Sequence, residues 1–493
     1  MKYIDLFAGI GGFHLGMEQA GHECIGWVEW DKFARKSYQA IHDVKGVWNA
    51  SDIRTVRSTE IPRADCWCFG FPCFVAGTLV ATESGLKPIE TVTDTDRVVT
   101  IDGSFQKVAQ TMVKTSYDVY QVSVQGQLDT EVTGNHPYWV RKRDTVYKNR
   151  VKTIVYGGPE WLHVDQISAG DLVMSYQPQV PSTVSITDEE AWLLGRYVAD
   201  GYISNGKRPS RGNSYNHKTI FAIGNPKVDT FKEHLTEYHA TESTGTSVTK
   251  FIVSNEHLMD LAMDFGRGAL NKEIPMWVYG LPESQQRLLI DGALSGDGDI
   301  TSRGYTRYTT TSKTLAVSLQ KLVEKTLHVG VSLFHTERPK THVVEGRVVN
   351  QHDTYALQFS LNQKSTRVKE LDGNLWYPVK GVTKLESSQD VYNLEVENNH
   401  TYTANGIVVH NCQDISVAGK QGGFTSGRRS SLFFTVAGLL RGIQKEDRPA
   451  YLLIENVKNL LSINGGWDFA KLQIELDEIG YDVEWDVLDS AEV

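Results

Sequence analysis

A cysteine motif written in two halves constrains this chain more than any other feature. Residues 65–73 read "DCWCFGFPC", an apolar strand pattern running into a Pro-Cys pair, which can present a nucleophile at a strand end. The chain then turns at once into "FVAGTLVATESG". Sequence that would continue the first half returns only at Cys412, in "VVHNCQDISVAGK". Joined, the halves read "DCWCFGFPCQDISVAGK", and residues 73–411, 339 in all, lie between them. A chain built this way must either bring the halves together in space or remove what separates them.

The flanks of that interruption share one pattern. "YIDLFAGIGGFHLGMEQAG" is an apolar strand, a glycine-rich turn and an amphipathic helix, Phe13 to Ala20. In that geometry backbone N–H groups and a helix N-terminus meet a ligand. "CIGWVEWDKFARKSY" follows as a strand ending in Glu29, placed to accept from ribose hydroxyls, with Trp30 offering a flat face to a purine. A third strand, "GVWNASDIRTV", ends at Asp52. Beyond the interruption, "SLFFTVAGLLRGI" and "WDFAKLQIELDEIG" are helical, "AYLLIENV" reads as a buried strand and "YDVEWDVLD" as another. Strand–helix alternation on both sides predicts one open, mostly parallel sheet.

Composition sets outer bounds. A chain of 493 residues has room for about three domains. It is 40% hydrophobic and 22% charged, as in ordinary globular proteins. No apolar run approaches the roughly 18 residues that span a membrane, and the first residues do not read as a secretory signal, so a cytoplasmic protein of a bacterial or phage-infected cell is expected. The formal charge of −10 argues mildly against nucleic acid as a partner. All five cysteines (24, 66, 68, 73 and 412) lie in the flanks or at the seams. Their odd number makes a disulfide framework a poor reading, and Cys66 and Cys68 read as structural.

With those residues in view, the flanks resemble the DNA cytosine-5 methyltransferases that use S-adenosylmethionine. "DLFAGIGG" resembles that family's first cofactor motif, the rejoined "GFPCQ" its nucleophile motif, "GRRSSLF" its next cofactor-side segment and "ENV" at 455–457 its acid motif. The resemblance implies a cofactor site of Asp5, Phe7, Gly9, Gly11, Gly12, Glu29, Trp30, Asp52, Ile53, Gly70 and Pro72. It implies Cys412 as the thiolate that adds to a flipped cytosine in double-stranded DNA, and Glu455 as the acid at ring nitrogen 3. Family members continue past the strand matching "YDVEWDVLDSAEV" with a Gln-x-Arg-x-Arg motif and a target-recognition domain, and this chain ends at Val493. The expectation is that a longer product or a separate chain supplies that region.

The interrupting piece resembles an intein. It opens at Cys73 and closes with "HTYTANGIVVHN" before Cys412. The resemblance implies acyl transfer from Pro72 to the Cys73 thiol, with Thr133 and His136 of "TGNH" polarising the amide. Cys412 accepts the acyl group, and Asn411 cyclises with help from His410 and His400. Asn393 stands where many family members carry an aspartate. Within the piece, "AWLLGRYVADGYI" and "RLLIDGALSGDGDI" both resemble the LAGLIDADG helices of homing endonucleases. That resemblance implies Asp200 and Asp297 together at the foot of two packed helices, holding Mg²⁺, with Lys272 assisting. The basic run "RKRDTVYKNRVK" at 141–152 reads equally as a solvated loop or an auxiliary DNA contact.

The expected fold is multidomain. It comprises an α/β Rossmann-like methyltransferase unit split into 1–72 and 412–493, an all-β splicing (Hint-type) domain at 73–184 and 364–411, and an α+β endonuclease domain at 185–363. The competing reading is a permanent DNA-binding protein with a non-splicing insertion; the presence of both Asn411 and Cys412 weighs against it.

Overall fold

The computed structural model describes all residues except 7, 9–10, 30–31, 52, 70–73, 117–118, 135, 149–150, 205–217, 345–346, 362–366, 386–388, 412–431, 455–466 and 487–493. The outer parts of the chain build one five-stranded parallel sheet in the order Trp48–Ala50, Glu23–Val28, Lys2–Leu6, Cys66–Phe69, Tyr451–Ile454. The last pairing joins Tyr451 to Cys66 and Ile454 to Phe69, so the two flanks close into a single sheet. Helix α1 (Gly12–Gln19) follows the first strand and α2 (Lys32–Ile41) the second. Ile4, Leu6, Val28, Ile53 and Trp67 form its core with Val436, Ala437 and Leu440 from beyond the interruption.

Register matters here more than topology. Leu6 pairs with Val28, and Val28 with Ala50. Three strands therefore stop in one row, and the residues after them leave from one carboxyl-terminal edge, where ligands of such sheets bind.

The middle of the chain opens as β structure. Strands from 74–174 and from 369–410 interleave in one large sheet. The two-residue strand Phe74–Val75 lies between Thr130–Thr133 and Gln389–Val396, and Thr401–Ala404 pairs with Ile407–His410 beside Tyr138. The strands that begin at Phe74 and end at His410 thus share a sheet although more than 300 positions separate them. The basic run is no loop. It forms the outer end of an antiparallel hairpin, Pro137–Lys148 with Val151–His163. Thr145, Val146 and Tyr147 face Ile154, Thr153 and Lys152, and such β-branched and aromatic cross-strand pairs favour strands. Part of its charge is consumed internally, since Lys142 Nζ reaches Asp171 at 3.0 Å and Arg141 pairs with Asp372.

Between those β segments the chain makes two similar halves. Helix α3 (Asp188–Asp200) leads into a four-stranded antiparallel sheet carrying α4 (Val228–Glu233) and α5 (Glu256–Asp264). Helix α6 (Glu283–Asp297) leads into a second such sheet with α7 (Lys313–Leu327). Thr187 caps α3 by accepting from the Glu190 N–H while Glu190 returns a bond to the Thr187 N–H. One hydrophobic core runs from these helices into the β part, through Tyr176, Trp376 and Val408.

The chain closes with α8 (Leu432–Gly442) and α9 (Trp467–Ile479). Two sequence expectations fail in this region. Tyr451–Ile454 is an edge strand, not a buried one: Tyr451 and Leu453 are exposed, because only one neighbour pairs with it among the described residues. Residues 481–486 form no strand. Their alternation is strand-like, but alternation needs a pairing partner, and Tyr481 instead continues the end of α9, its N–H donating to Leu476 O and its hydroxyl to Pro449 O.

Candidate functional site

Three chemical centres emerge. The first is at the seams of the interruption. Phe74, immediately after Cys73, is fully buried with its ring centroid 4.1 Å from that of His136. His136 is itself fully buried, and neither ring nitrogen finds an aligned hydrogen-bond partner among the described residues. Burial drives its pKa well below the ordinary histidine value, opposed by the nearby His410 backbone. Thr133 ends the neighbouring strand and accepts the His136 N–H at its carbonyl, 3.1 Å away.

At the other seam, His410 Nδ1 lies 2.9 Å from the Asn411 carbonyl oxygen. A carbonyl only accepts, so that contact fixes the proton on Nδ1. The Asn411 N–H donates to His400 O at 2.8 Å, and its side-chain amide to Val396 O at 3.3 Å. His400 adopts a left-handed backbone with φ 52, rare for a residue with a Cβ, and stacks 6.5 Å from His410. The edge of His410 faces Trp161 at 4.9 Å. Asn393 is fully buried and accepts from the Tyr402 hydroxyl at 2.8 Å, a neutral acceptor where a carboxylate would have to lose its water. Strand register thus gathers Phe74, Thr133, His136, His400, His410 and Asn411. Cys73 and Cys412 lie outside the described residues.

The second centre lies between α3 and α6. A Cβ at Gly195 would sit 1.9 Å from Leu289 O, and one at Gly292 2.1 Å from Trp192 O, so the helices touch backbone to backbone. Asp200 and Asp297 end the two helices. Burial raises the Asp297 pKa, the Asp200 carboxylate raises it further, and Lys272, Arg196 and Lys227 act against both. Arg196, 1% exposed, holds Asp200 at 2.5 Å and donates to Ser295 Oγ across the interface at 3.0 Å. Lys272 does not present a free ammonium. Its Nζ donates to Tyr197 O, Val198 O and Gly201 O at 2.6, 3.1 and 2.8 Å, which uses all three hydrogens. Burial lowers its pKa to about 8. Sequence reasoning found Lys272 but missed Arg196; the signal available was a charged residue one helical turn before Asp200 on a packed face.

The third centre is the carboxyl edge of the outer sheet. Asp5 is fully buried; its Oδ2 accepts from the Tyr38 hydroxyl at 3.2 Å, and burial holds its pKa well above the carboxylate range. Gly11 takes φ 99 before Gly12 opens α1, Glu29 follows its strand and is buried, and Ile53 packs in the core. Phe7, Gly9, Trp30, Asp52, Gly70, Pro72 and Glu455 lie outside the described residues. The strands Cys66–Phe69 and Tyr451–Ile454, which precede Gly70 and Glu455 in sequence, run side by side and end together.

Comparison with known proteins agrees with this division. The model of the C-5 cytosine-specific DNA methylases matches residues 1–75 and 410–493, and that of the Hint domain matches 72–130. The methylase match is thus interrupted by a stretch that opens with a match to the Hint domain. Type II methyltransferase M.HhaI of Haemophilus parahaemolyticus is 44% identical over 73 residues, covering 15% of this chain and 21% of that one. An iron–sulfur cluster assembly SufBD family protein of Mycobacterium tuberculosis is 26% identical over 384 residues, covering 69% of this chain and 43% of its own length. The chain thus spans less than half the length of these relatives. Among solved structures, mesophilic variants of the homing endonuclease I-DmoI align over 36% of this chain and 90% of theirs, at 16% identity and a TM-score of 0.25. No helix among the described residues is long and apolar enough to cross a membrane.

Proposed function

We propose that this chain is the precursor of an S-adenosylmethionine-dependent DNA cytosine-5 methyltransferase, matured when residues 73–411 excise themselves. The observation that carries the reading is the methylase match, which stops at 75 and resumes at 410. The relative from Mycobacterium tuberculosis supports it: a match covering 69% of the chain must run through the middle, yet that protein's name concerns iron–sulfur assembly. An element shared by proteins of unrelated names behaves as an insertion.

The splicing steps follow from the seam. The Cys73 thiol attacks the Pro72 carbonyl; the carbon–sulfur bond forms as the amide C–N bond breaks and the Cys73 amine takes up a proton. Thr133 and His136 polarise that amide, and a histidine kept neutral by burial can act in proton transfer near neutral pH. Cys412 then captures the acyl group and the Cys73 thiol leaves with a proton. The Asn411 side-chain nitrogen attacks its own carbonyl carbon, and His410 Nδ1–H is already donating to the oxygen on which charge builds. That closure expels the Cys412 amine, which attacks the thioester to leave a Pro72–Cys412 peptide and a free Cys412 thiol.

In the joined product Cys412 would add to carbon 6 of a flipped cytosine while Glu455 keeps a proton at ring nitrogen 3. The sheet edge with Asp5, Gly11, Gly12 and Glu29 suits the cofactor, whose ribose hydroxyls need acidic acceptors and whose approach needs a glycine turn. When bound, S-adenosylmethionine supplies an electrophilic methyl group. Asp200 and Asp297, two mutually repelling carboxylates, suit an oxygen-preferring cation such as Mg²⁺ and a double-stranded DNA substrate, with Lys272 fixing the end of α3. Intact-mass analysis of the expressed protein tests the core of this reading. Pieces of 339 and 154 residues are expected, and a single band of precursor mass would overturn it.

A further inference from the structure

We infer that His14, Glu18 and His42 form a binding site for a borderline divalent transition metal, of which Zn²⁺ is the natural candidate. The cluster belongs to the outer α/β unit and has no part in the chemistry above. His14 and Glu18 are four apart on α1, which puts both on one helical face. His42 follows the end of α2, its ring centroid 4.0 Å from that of His14. One ligand atom from each of the three lies within 4.8 Å of the other two. A tetrahedral ion with bonds of about 2.0–2.1 Å needs its ligands about 3.4 Å apart, which lies between the 3.0 Å His14–Glu18 contact and the 4.8 Å limit of the cluster.

A hydrogen-bonded cluster would be the plainer account, and the geometry argues against it. His14 Nε2 is buried and lies 3.0 Å from Glu18 Oε1, yet the two are not aligned as donor and acceptor. Atoms that close and that misaligned are placed to share a third atom beside them. The tautomer agrees. With the Tyr38 hydroxyl proton given to Asp5 Oδ2, His14 Nδ1 is the donor at the 2.7 Å contact. That leaves Nε2 with its lone pair directed at the cluster. A second-shell partner of this kind is what orients a metal-ligating imidazole. Glu18 is 50% exposed, which gives an ion a way in and leaves room for water as a fourth ligand.

Two imidazoles and one carboxylate suit Zn²⁺, whereas Mg²⁺ prefers an all-oxygen shell. The site also touches the turn that opens α1. A Cβ at Gly11 would lie 2.0 Å from His42 Nε2, so fixing His42 fixes the glycine turn against it.

The test uses the full chain held whole by Cys73→Ala together with Asn411→Ala, with Cys66→Ser and Cys68→Ser to remove thiolate competition and excess Mg²⁺ to occupy the carboxylate pair. Zn²⁺ titration against a chromophoric chelator should find one tight site. His42→Gln and Glu18→Gln should each weaken it by about 100-fold or more, and Tyr38→Phe by about 10–100-fold. Co²⁺ should bind with a visible spectrum of nitrogen and oxygen ligation. Because Glu18 is half-exposed, its variant should unfold like the parent when metal-free, so a loss of binding there is not a loss of fold. Absence of a tight site, or parent-like affinity in the Glu18→Gln or the His42→Gln chain, would overturn the assignment.

Discussion

The centre at the seams and the centre between α3 and α6 solve one problem with opposite signs. At the seams a base is stripped of water: His136 is pushed toward its neutral form and nothing of opposite charge offsets the burial. Between the helices an acid is stripped of water, and Asp297 is pushed toward its protonated form although three cations surround it. The construction differs as well. Strand register gathers the seam residues from positions far apart, whereas the acids are set by glycines that let two backbones touch. Register tolerates a change of side chain; backbone contact does not.

Those differences predict which changes act on one centre and which on both. The largest contrast is all-or-none. Asn411→Ala should abolish release of the 339-residue piece while leaving Mg²⁺ binding at Asp200 and Asp297 intact, and Asp297→Asn should do the reverse. Gel analysis of products and calorimetry with Mg²⁺ would show both; loss of splicing in Asp297→Asn would break the separation.

The two centres nonetheless share a support. On α7, Lys321 and Glu324 form an ion pair with both side chains fully buried. Lys321 Nζ donates to Ser175 Oγ at 2.6 Å, and Glu324 accepts from Ser175 Oγ and from the Tyr377 hydroxyl, both on the β part. Burial lowers the Lys321 pKa, with Glu324 opposing. Lys321→Met would leave a buried carboxylate uncompensated, a loss of about 3–5 kcal/mol. The double variant with Glu324→Leu should recover much of it, since well-packed apolar residues often replace such pairs at little cost. Denaturant unfolding of the chain kept whole by Cys73→Ala and Asn411→Ala measures both. Full additivity of the two single losses would mean the pair does not act as a unit.

What the sequence made legible follows the range of each interaction. Helix ends carrying Asp200 and Asp297, the glycines between them and the His-Asn seam are local patterns, and a reader of spacing can find them. Arg196, the Lys321–Glu324 pair and the His14–Glu18–His42 cluster depend on what lies opposite after folding, so each looks like an ordinary surface charge in one dimension. The basic run at 141–152 was ambiguous for the same reason: its charge suggested solvent, and only pairing with 151–163 makes it a hairpin. Conversely, residues 481–486 alternate as a strand should but form none.

A smaller effect tests the cap at the end of α3. Lys272→Met removes three donors at once and leaves the Tyr197, Val198 and Gly201 carbonyls to find others. A loss of about 1–3 kcal/mol is expected, with Mg²⁺ affinity reduced because Asp200 ends that helix. Lys272→Arg should not restore it, since a planar fork cannot meet three carbonyls arranged around one ammonium. Unchanged stability in Lys272→Met would mean the cap is dispensable.

The smallest effect is in pH, and there the two centres should separate by sign. His136 titrates below the ordinary 6.5 in the folded chain. The unfolded chain therefore binds more protons as pH falls below 6.5, and stability contributed by neutral His136 is complete above that value and lost beneath it. Asp297 titrates above the ordinary 3.8. The folded chain then holds the extra proton, so the stability it contributes is complete below 3.8 and is lost as pH rises through the folded value. Once ionised, Asp297 thus works against the fold until a cation joins it. In metal-free buffer at pH 7 Asp297→Asn should raise the melting temperature, and Mg²⁺ should raise that of the parent but not of the variant. His136→Gln should flatten the acid limb below pH 6.5 and leave the Mg²⁺ response alone. A parent chain whose melting temperature ignores Mg²⁺, or an Asp297→Asn variant less stable than the parent without metal, would show that the acid at the foot of α6 is held by its cations and not strained by its neighbour.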